Sequence, residues 1–289
     1  MTEVEWQAGA DPAALLRFLA EARPTERRKR RLFACACAGR VRHLLKSPAS
    51  SEAIAAAEQH ADGALDADAL AAHEHAARQA SAQAVREAHA VWSQGPAAPV
   101  ARAAWIGVWA ACAAENTCDR FDAARPGSLE AGFQGCLAVR TAQVAAWART
   151  VADELANAGA GEAETETALF FSFLRGLKHT VQRIEEAVRD RATTCETVYQ
   201  AGLVREVFGN PFRPVRFDPA WRHANGGVVS RVAGAIYHDR GWDDLPILAD
   251  ALEDAGCDEP ALLEHLHGPG PHVRGCWALD LVLGAGGTP

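Results

Sequence analysis

Four residues near the C-terminus have the types that hold a transition metal: Cys257, His265, His272 and Cys276, spaced C-x7-H-x6-H-x3-C. Zinc takes thiolate sulfur and imidazole nitrogen in a tetrahedron, so these types suit a zinc centre. His272 and Cys276 are four apart and would share one face of a helix. Zinc sites usually present their ligands as C-x2-C or H-x3-H pairs, whereas here the pairs are mixed. A simpler reading buries each residue for its own reason: Cys257 after Gly256, His272 as a cap after Pro271, Cys276 in the core beside Trp277. The sequence favours these separate structural roles and leaves the metal centre as the alternative.

Other candidates are weaker. Cys35 and Cys37 stand two apart, and on a helix that spacing points them toward opposite sides. Both are expected to be structural. Arg27 to Arg31 form a basic run that could touch phosphate. It opens an amphipathic helix, where positive charge opposes the macrodipole. A solvated face, or an acidic partner such as the Glu162, Glu164 and Glu166 cluster, is expected in preference to nucleic acid. Gly268 to His272 precede a helix with Arg274 nearby, but no phosphate-loop pattern is present, so a tight turn is expected. No G-x-S-x-G elbow, H-E-x-x-H motif or recognisable cysteine-nucleophile context appears. Asp218, His223, His238, Asp239 and Arg240 are acid–base types in one segment, which is ordinary for polar residues between short helices. The reading leans away from an enzyme.

These residues sit on a chain of 289 residues with 49% hydrophobic and 23% charged content, which requires a packed core and excludes disorder. Much of the apolar fraction is alanine, a strong helix former of little bulk, so closely packed helices are expected. A net charge of −8 argues against nucleic acid as a partner of the whole surface. The first thirty residues carry Glu3, Glu5, Asp11 and Glu21 and lack the apolar core of a signal peptide. The strongest apolar stretch, Ala103 to Ala114, is short of the ~20 residues that span a bilayer. A cytoplasmic protein with reduced cysteines and no membrane partner follows as the expectation.

Helix signals recur along the chain. They predict helices from Asp11-Pro12, over Glu26–Lys46 with Pro48 as the stop, from Ser50 or Ser51 to Asp62, and over Asp66–Gln94. Further helices are expected over Pro99–Ala123, Ser128–Asn157, Glu164–Arg191 and Thr193–Val207. Asn210-Pro211 and Arg213-Pro214 cannot lie inside helices, so Phe208 to Trp221 is expected to be extended. Short helices should follow at Gly227–Asp239, Asp244–Ala255, Asp258–His267 and His272–Leu283. The fold class is all-α, a bundle of about eight to ten helices of ordinary length. Residues 1–206 form its alanine-rich helical body, and residues 207–289 a C-terminal cassette, packed on it, that contains the Pro-rich extended segment.

The cassette has a distinctive text: FGNPFRPVRFDPAW from Phe208, LPILADALEDAGC from Leu245, and GPGPHVRGCW from Gly268. With MTEVEW and RRLFACACAGRVRHLL at the other end, it resembles a large paralogous family from planctomycete bacteria. The likeness covers roughly the first fifty and last eighty residues, around an unmatched helical middle. It implies a lineage and a cytoplasmic location, and brings no activity, substrate or cofactor with it. The chain departs from that family's pattern at Ala38, where the family has cysteine, and at Leu266 and His267, where it has Cys-Arg.

Signature ends around a variable helical middle suit an interaction or scaffold protein with a protein partner. The alternative is a metalloprotein or enzyme centred on the cassette. The metal reading requires Cys257, His265, His272 and Cys276 to converge.

Overall fold

The computed structural model describes residues 1–22, 26–40, 42–93 and 197–285, and every regular element among them is a helix. The chain is all-α. The helices expected over residues 99–123, 128–157 and 164–191, and the Glu162–Glu166 cluster, lie outside the described residues.

A short helix not anticipated from the sequence opens the chain: α1, Glu3–Ala8. Thr2 caps it, with its hydroxyl accepting from the Glu5 amide while the Glu5 carboxylate accepts from the Thr2 amide at 2.7 Å. α2 (Pro12–Ala22) starts at proline after Asp11, whose carboxylate accepts from the Ala13 amide at 2.9 Å. α3 covers Arg27–Gly39 and stops well before Lys46. Its end tightens, with the Arg40 amide reaching the Cys37 carbonyl at 3.3 Å, and a single 3-10 turn follows at Arg42–Leu44. Pro48 does not merely end what precedes it; it opens α4 (Pro48–Ala61), and α5 runs Ala67–Ser93.

The next described helix, α6, spans residues 197–208. Its Ala201, Val204, Val207 and Phe208 close a core with Trp6, Leu15, Leu19, Phe33 and Cys37. Arg205 donates to the Trp6 carbonyl from Nε at 2.9 Å and so ties α6 to the end of α1. Cys35, on the other side of α3, belongs to a second core with Ala53, Ile54 and Ala57 of α4. The two cysteines therefore face different cores, as their spacing requires.

Residues 209–218 contain no regular helix. α7 then covers Pro219–Asp239 and begins earlier than expected, because Asp218 caps it: its carboxylate accepts from the Ala220 amide at 2.8 Å. Trp221 is thus helical and not extended. The helix breaks at Ala224–Gly227, where Asn225, Gly226 and Gly227 are left-handed, and resumes to Asp239. α8 (Leu245–Asp254), α9 (Pro260–His267) and α10 (Trp277–Leu283) complete the cassette around Leu245, Leu248, Leu252, Leu262, Leu266 and Leu279. Trp221, Trp242 and Trp277 each pack half-buried on this core. No helix among the described residues is long and apolar enough to cross a membrane.

The expected helix over His272–Leu283 starts five residues late, at Trp277. Residues 268–276 are a loop, so His272 and Cys276 do not share a helical face. What brings them together is the path of that loop.

Candidate metal centre

Glu206 on α6, His265 on α9, His272 in the loop and Cys276 at the N-cap of α10 converge, with one ligand atom from each inside a 4.8 Å span. His265 Nε2 lies 3.2 Å from Cys276 Sγ and 3.3 Å from Glu206 Oε2. His272 Nδ1 lies 3.2 Å from Glu206 Oε1. Around zinc, bond lengths of ~2.0–2.3 Å separate neighbouring ligand atoms of a tetrahedron by ~3.3–3.6 Å. Charge-assisted hydrogen bonds are shorter, ~2.7–2.9 Å. The two histidines meet different oxygens of Glu206, so the separations are those of a hydrogen-bonded cluster that a metal would draw together from within 4.8 Å.

The outer contacts matter as much. His272 Nε2 faces the Gly268 carbonyl at 3.0 Å and carries its proton there. The bare Nδ1 of a neutral ring then confronts the Glu206 carboxylate, an arrangement that requires a cation between them, a second proton or a metal. A carbonyl holding the far side of a ligating histidine is the usual outer shell of a metal site. On His265 the Trp277 indole N–H donates to Nδ1 at 3.2 Å, which puts that ring's proton on Nε2. A metal at Nε2 displaces that proton to Nδ1 and breaks the indole bond.

Burial closes the cluster, with side-chain exposures of 3% for Glu206, 8% for His272 and 20% for His265, and a fully enclosed Cys276. Burial pushes the Glu206 carboxyl up, but hydrogen bonds and charge from His265 and His272 outweigh it and hold the group at about 2. Burial pushes the His272 imidazole down, and its bonds to Glu206 and the Gly268 carbonyl carry it above its ordinary value. Burial, with the charge of Glu206, drives the Cys276 thiol well above the ordinary thiol range. A thiol so enclosed and so protonated is no exposed nucleophile, despite its histidine neighbour.

Glycines set the approach of the two supporting segments. Gly275 has φ of +92°, and a Cβ there would lie 2.8 Å from a Leu32 methyl on α3. The loop can rest on α3 only with glycine at this position. Gly209, with φ of +70°, ends α6 and lies against the Trp277 ring, where a Cβ would come within 3.2 Å.

Of the sequence quartet, the structure brings together His265, His272 and Cys276. Cys257 stays apart in the cassette core, buried, its amide bonded to the Leu252 carbonyl at 2.9 Å. Glu206 stands in the fourth place. Its signal was in the sequence: Leu203, Val204 and Val207 form the buried stripe of α6, and a carboxylate three residues after Leu203 lies on that stripe. A second group, Asp250, Glu253 and His267, is exposed throughout.

The basic run of α3 turns inward in part. Arg28 reaches Asp280, Asp62 and the Tyr237 hydroxyl, and Arg31 is buried. Its acidic partners are thus supplied by the cassette and the C-terminal end of α4. Comparison with protein-family models, curated proteins and solved structures finds no match, so the site is read from its own geometry.

Proposed function

We propose that the protein is a metal-stapled helical scaffold, with a non-catalytic zinc centre formed by Glu206, His265, His272 and Cys276. The observation that carries this reading is the convergence of four ligand types, one atom from each of Glu206, His265, His272 and Cys276 within 4.8 Å of one another, in a buried cluster. One carboxylate, one thiolate and two neutral imidazoles balance a dication, so the filled centre is neutral, as a buried site requires. Four protein ligands leave no coordination position for water or substrate, which is the pattern of structural zinc rather than catalytic zinc. The metal joins α6 to α9 and to the start of α10. Its work is to fix the cassette on the helical body, whose surface then serves a protein partner in a reducing, cytoplasmic setting. The reading is supported by the convergence of His265, His272 and Cys276 on Glu206, although Cys257 stays apart.

The test is cobalt substitution together with metal analysis of the purified protein. Equimolar zinc is expected, as are tetrahedral cobalt bands with a thiolate charge-transfer band that vanishes in Cys276→Ser. Protein folded and metal-free after expression in zinc-supplemented medium, and spectroscopically silent with cobalt, would rule the centre out.

A further inference from the structure

On the far side of the 268–276 loop lies a cavity of about 230 Å³, walled by α3, α4, the turn after α7 and Val273-Arg274 of the loop itself. It is smaller than the ~300–1,000 Å³ of sites for drug-sized ligands, so its occupant is small. Leu32, Ile54, Trp242 and Val273 give it apolar walls, while Arg42, Arg240 and Arg274 bring guanidinium groups to it. Two of those charges are already matched. Arg240 pairs with Glu58, which also lines the cavity, and Arg274 pairs with Asp62, from Nη2 at 2.6 Å and from Nε at 2.8 Å. Among the described residues no carboxylate pairs with Arg42, which is exposed on the 3-10 turn.

Gly39 adds a second observation. It lines the cavity in the last turn of α3, and a Cβ there would meet nothing within 4 Å. Its φ is not in the left-handed range, so no turn demands glycine. It is the last residue of α3, next to the Arg40 cap, and it is exposed at the rim of the cavity. Its missing side chain leaves that rim unobstructed.

We propose that this cavity binds a small monocarboxylate with a short apolar body, the carboxylate paired with Arg42 and the body against Leu32, Ile54 and Trp242. A single unmatched cation beside apolar walls suits one negative charge on an amphipathic ligand better than a bare polyanion. The site is separate from the metal centre, and ligand binding is expected whether or not zinc is present.

The test is calorimetric or ligand-observed titration of the full chain with hexanoate, hexanol and inorganic phosphate. Hexanoate should bind in the millimolar range, with hexanol at least fivefold weaker and phosphate weaker still. Gly39→Leu, which sets a bulky side chain at the rim of the cavity, and Arg42→Gln should each weaken hexanoate at least fivefold while circular dichroism and melting temperature stay near wild type. If Gly39→Leu does not fold, Arg42→Gln at the exposed rim carries the comparison. The proposal is overturned if wild type fails to bind hexanoate, if hexanol or phosphate binds as tightly, or if the folded variants bind hexanoate unchanged.

Discussion

Arg28 and Asp280 stand 252 positions apart and meet in a two-point pair, Nη1 to Oδ2 at 2.5 Å and Nη2 to Oδ1 at 3.1 Å. Asp280 is 1% exposed and lies in the first turn of α10, so its charge is held inside the cassette by a side chain from α3. Asp62 and the Tyr237 hydroxyl complete the arginine's contacts. The pair joins α3 to α10, and Asp62 links it to Arg274 of the 268–276 loop.

Removing one member of such a pair leaves the other buried and unpaired. Arg28→Ala should cost about 3–5 kcal/mol. Replacing both partners with apolar residues, Arg28→Met with Asp280→Leu, should recover most of that loss. Urea denaturation of the two variants against wild type checks it, and equal destabilisation in both would show that packing rather than charge is at stake.

Tyr237 gives the network a pH limit. Burial raises its hydroxyl to about 12, helped by its bond to Asp62 at 2.6 Å and opposed by the charge of Arg28. The folded value lies above the ordinary 10.0, so the contribution is complete below pH ~10 and lost as pH rises through ~12. Partial exposure discounts it to on the order of 1 kcal/mol. The stability difference between wild type and Tyr237→Phe should therefore shrink between pH 9 and pH 12, read as urea midpoints.

Much of this fold was readable because helix signals are local. Asp11-Pro12, Asp66 and the apolar spacing of Leu245, Leu248 and Leu252 act within a turn or two. What was not readable was set by distance or by loops. The sequence predicts α3 through to Lys46 because Gly39 is only a weak break. It predicts the last helix from His272 because the loop over residues 268–276 is positioned by Leu32, far away in sequence. The metal candidates were three-quarters visible by residue type, while Glu206 lay inside an apolar stripe where a carboxylate reads as a surface residue. Its partners come from another part of the chain, and no spacing rule links them.

The two possible quartets make opposite predictions. Glu206→Gln should lower zinc affinity by more than about a hundredfold, beyond the ~10–100-fold typical of an outer-shell loss. Cys257→Ser should leave metal content unchanged, since its thiol lies in the cassette core away from the cluster. Competition with a chromophoric chelator measures both. Zinc lost from Cys257→Ser with Glu206→Gln unaffected would restore the sequence quartet.

Trp277 should report the metal. Its indole donates to His265 Nδ1 at 3.2 Å, and its ring lies 4.9 Å from that imidazole. Zinc at Nε2 moves the ring proton to Nδ1, so the indole loses its acceptor. Tryptophan emission should change with equimolar zinc and saturate with metal content. Trp277→Phe should abolish that change and still bind metal, because the indole bond is one that loading has to break. Emission that does not respond in wild type while cobalt spectra show loading would mean that His265 is not a ligand through Nε2.

Gly275 is where the loop that carries His272 and Cys276 meets α3. Its φ of +92° disfavours any side chain, and a Cβ would press on Leu32 at 2.8 and 3.0 Å. Leu32 is 1% exposed, and its Cβ, fixed by the α3 backbone, cannot be moved off the contact by a change of rotamer. Strain at a left-handed position costs roughly 1 kcal/mol or more, and overpacking against a fixed neighbour adds about 1–3 kcal/mol. Gly275→Ala should therefore lose about 2–4 kcal/mol. Because the same loop carries His272 and Cys276, the displacement should reach the centre, lowering zinc affinity although no ligand has changed. Gly256→Ala is the control: it too has positive φ, +84°, but a Cβ there meets nothing within 4 Å. It should show the backbone penalty alone and keep its metal. If both variants lose stability equally and both retain zinc, the Leu32 contact does not position the loop, and the centre owes its geometry to α6 and α9 instead.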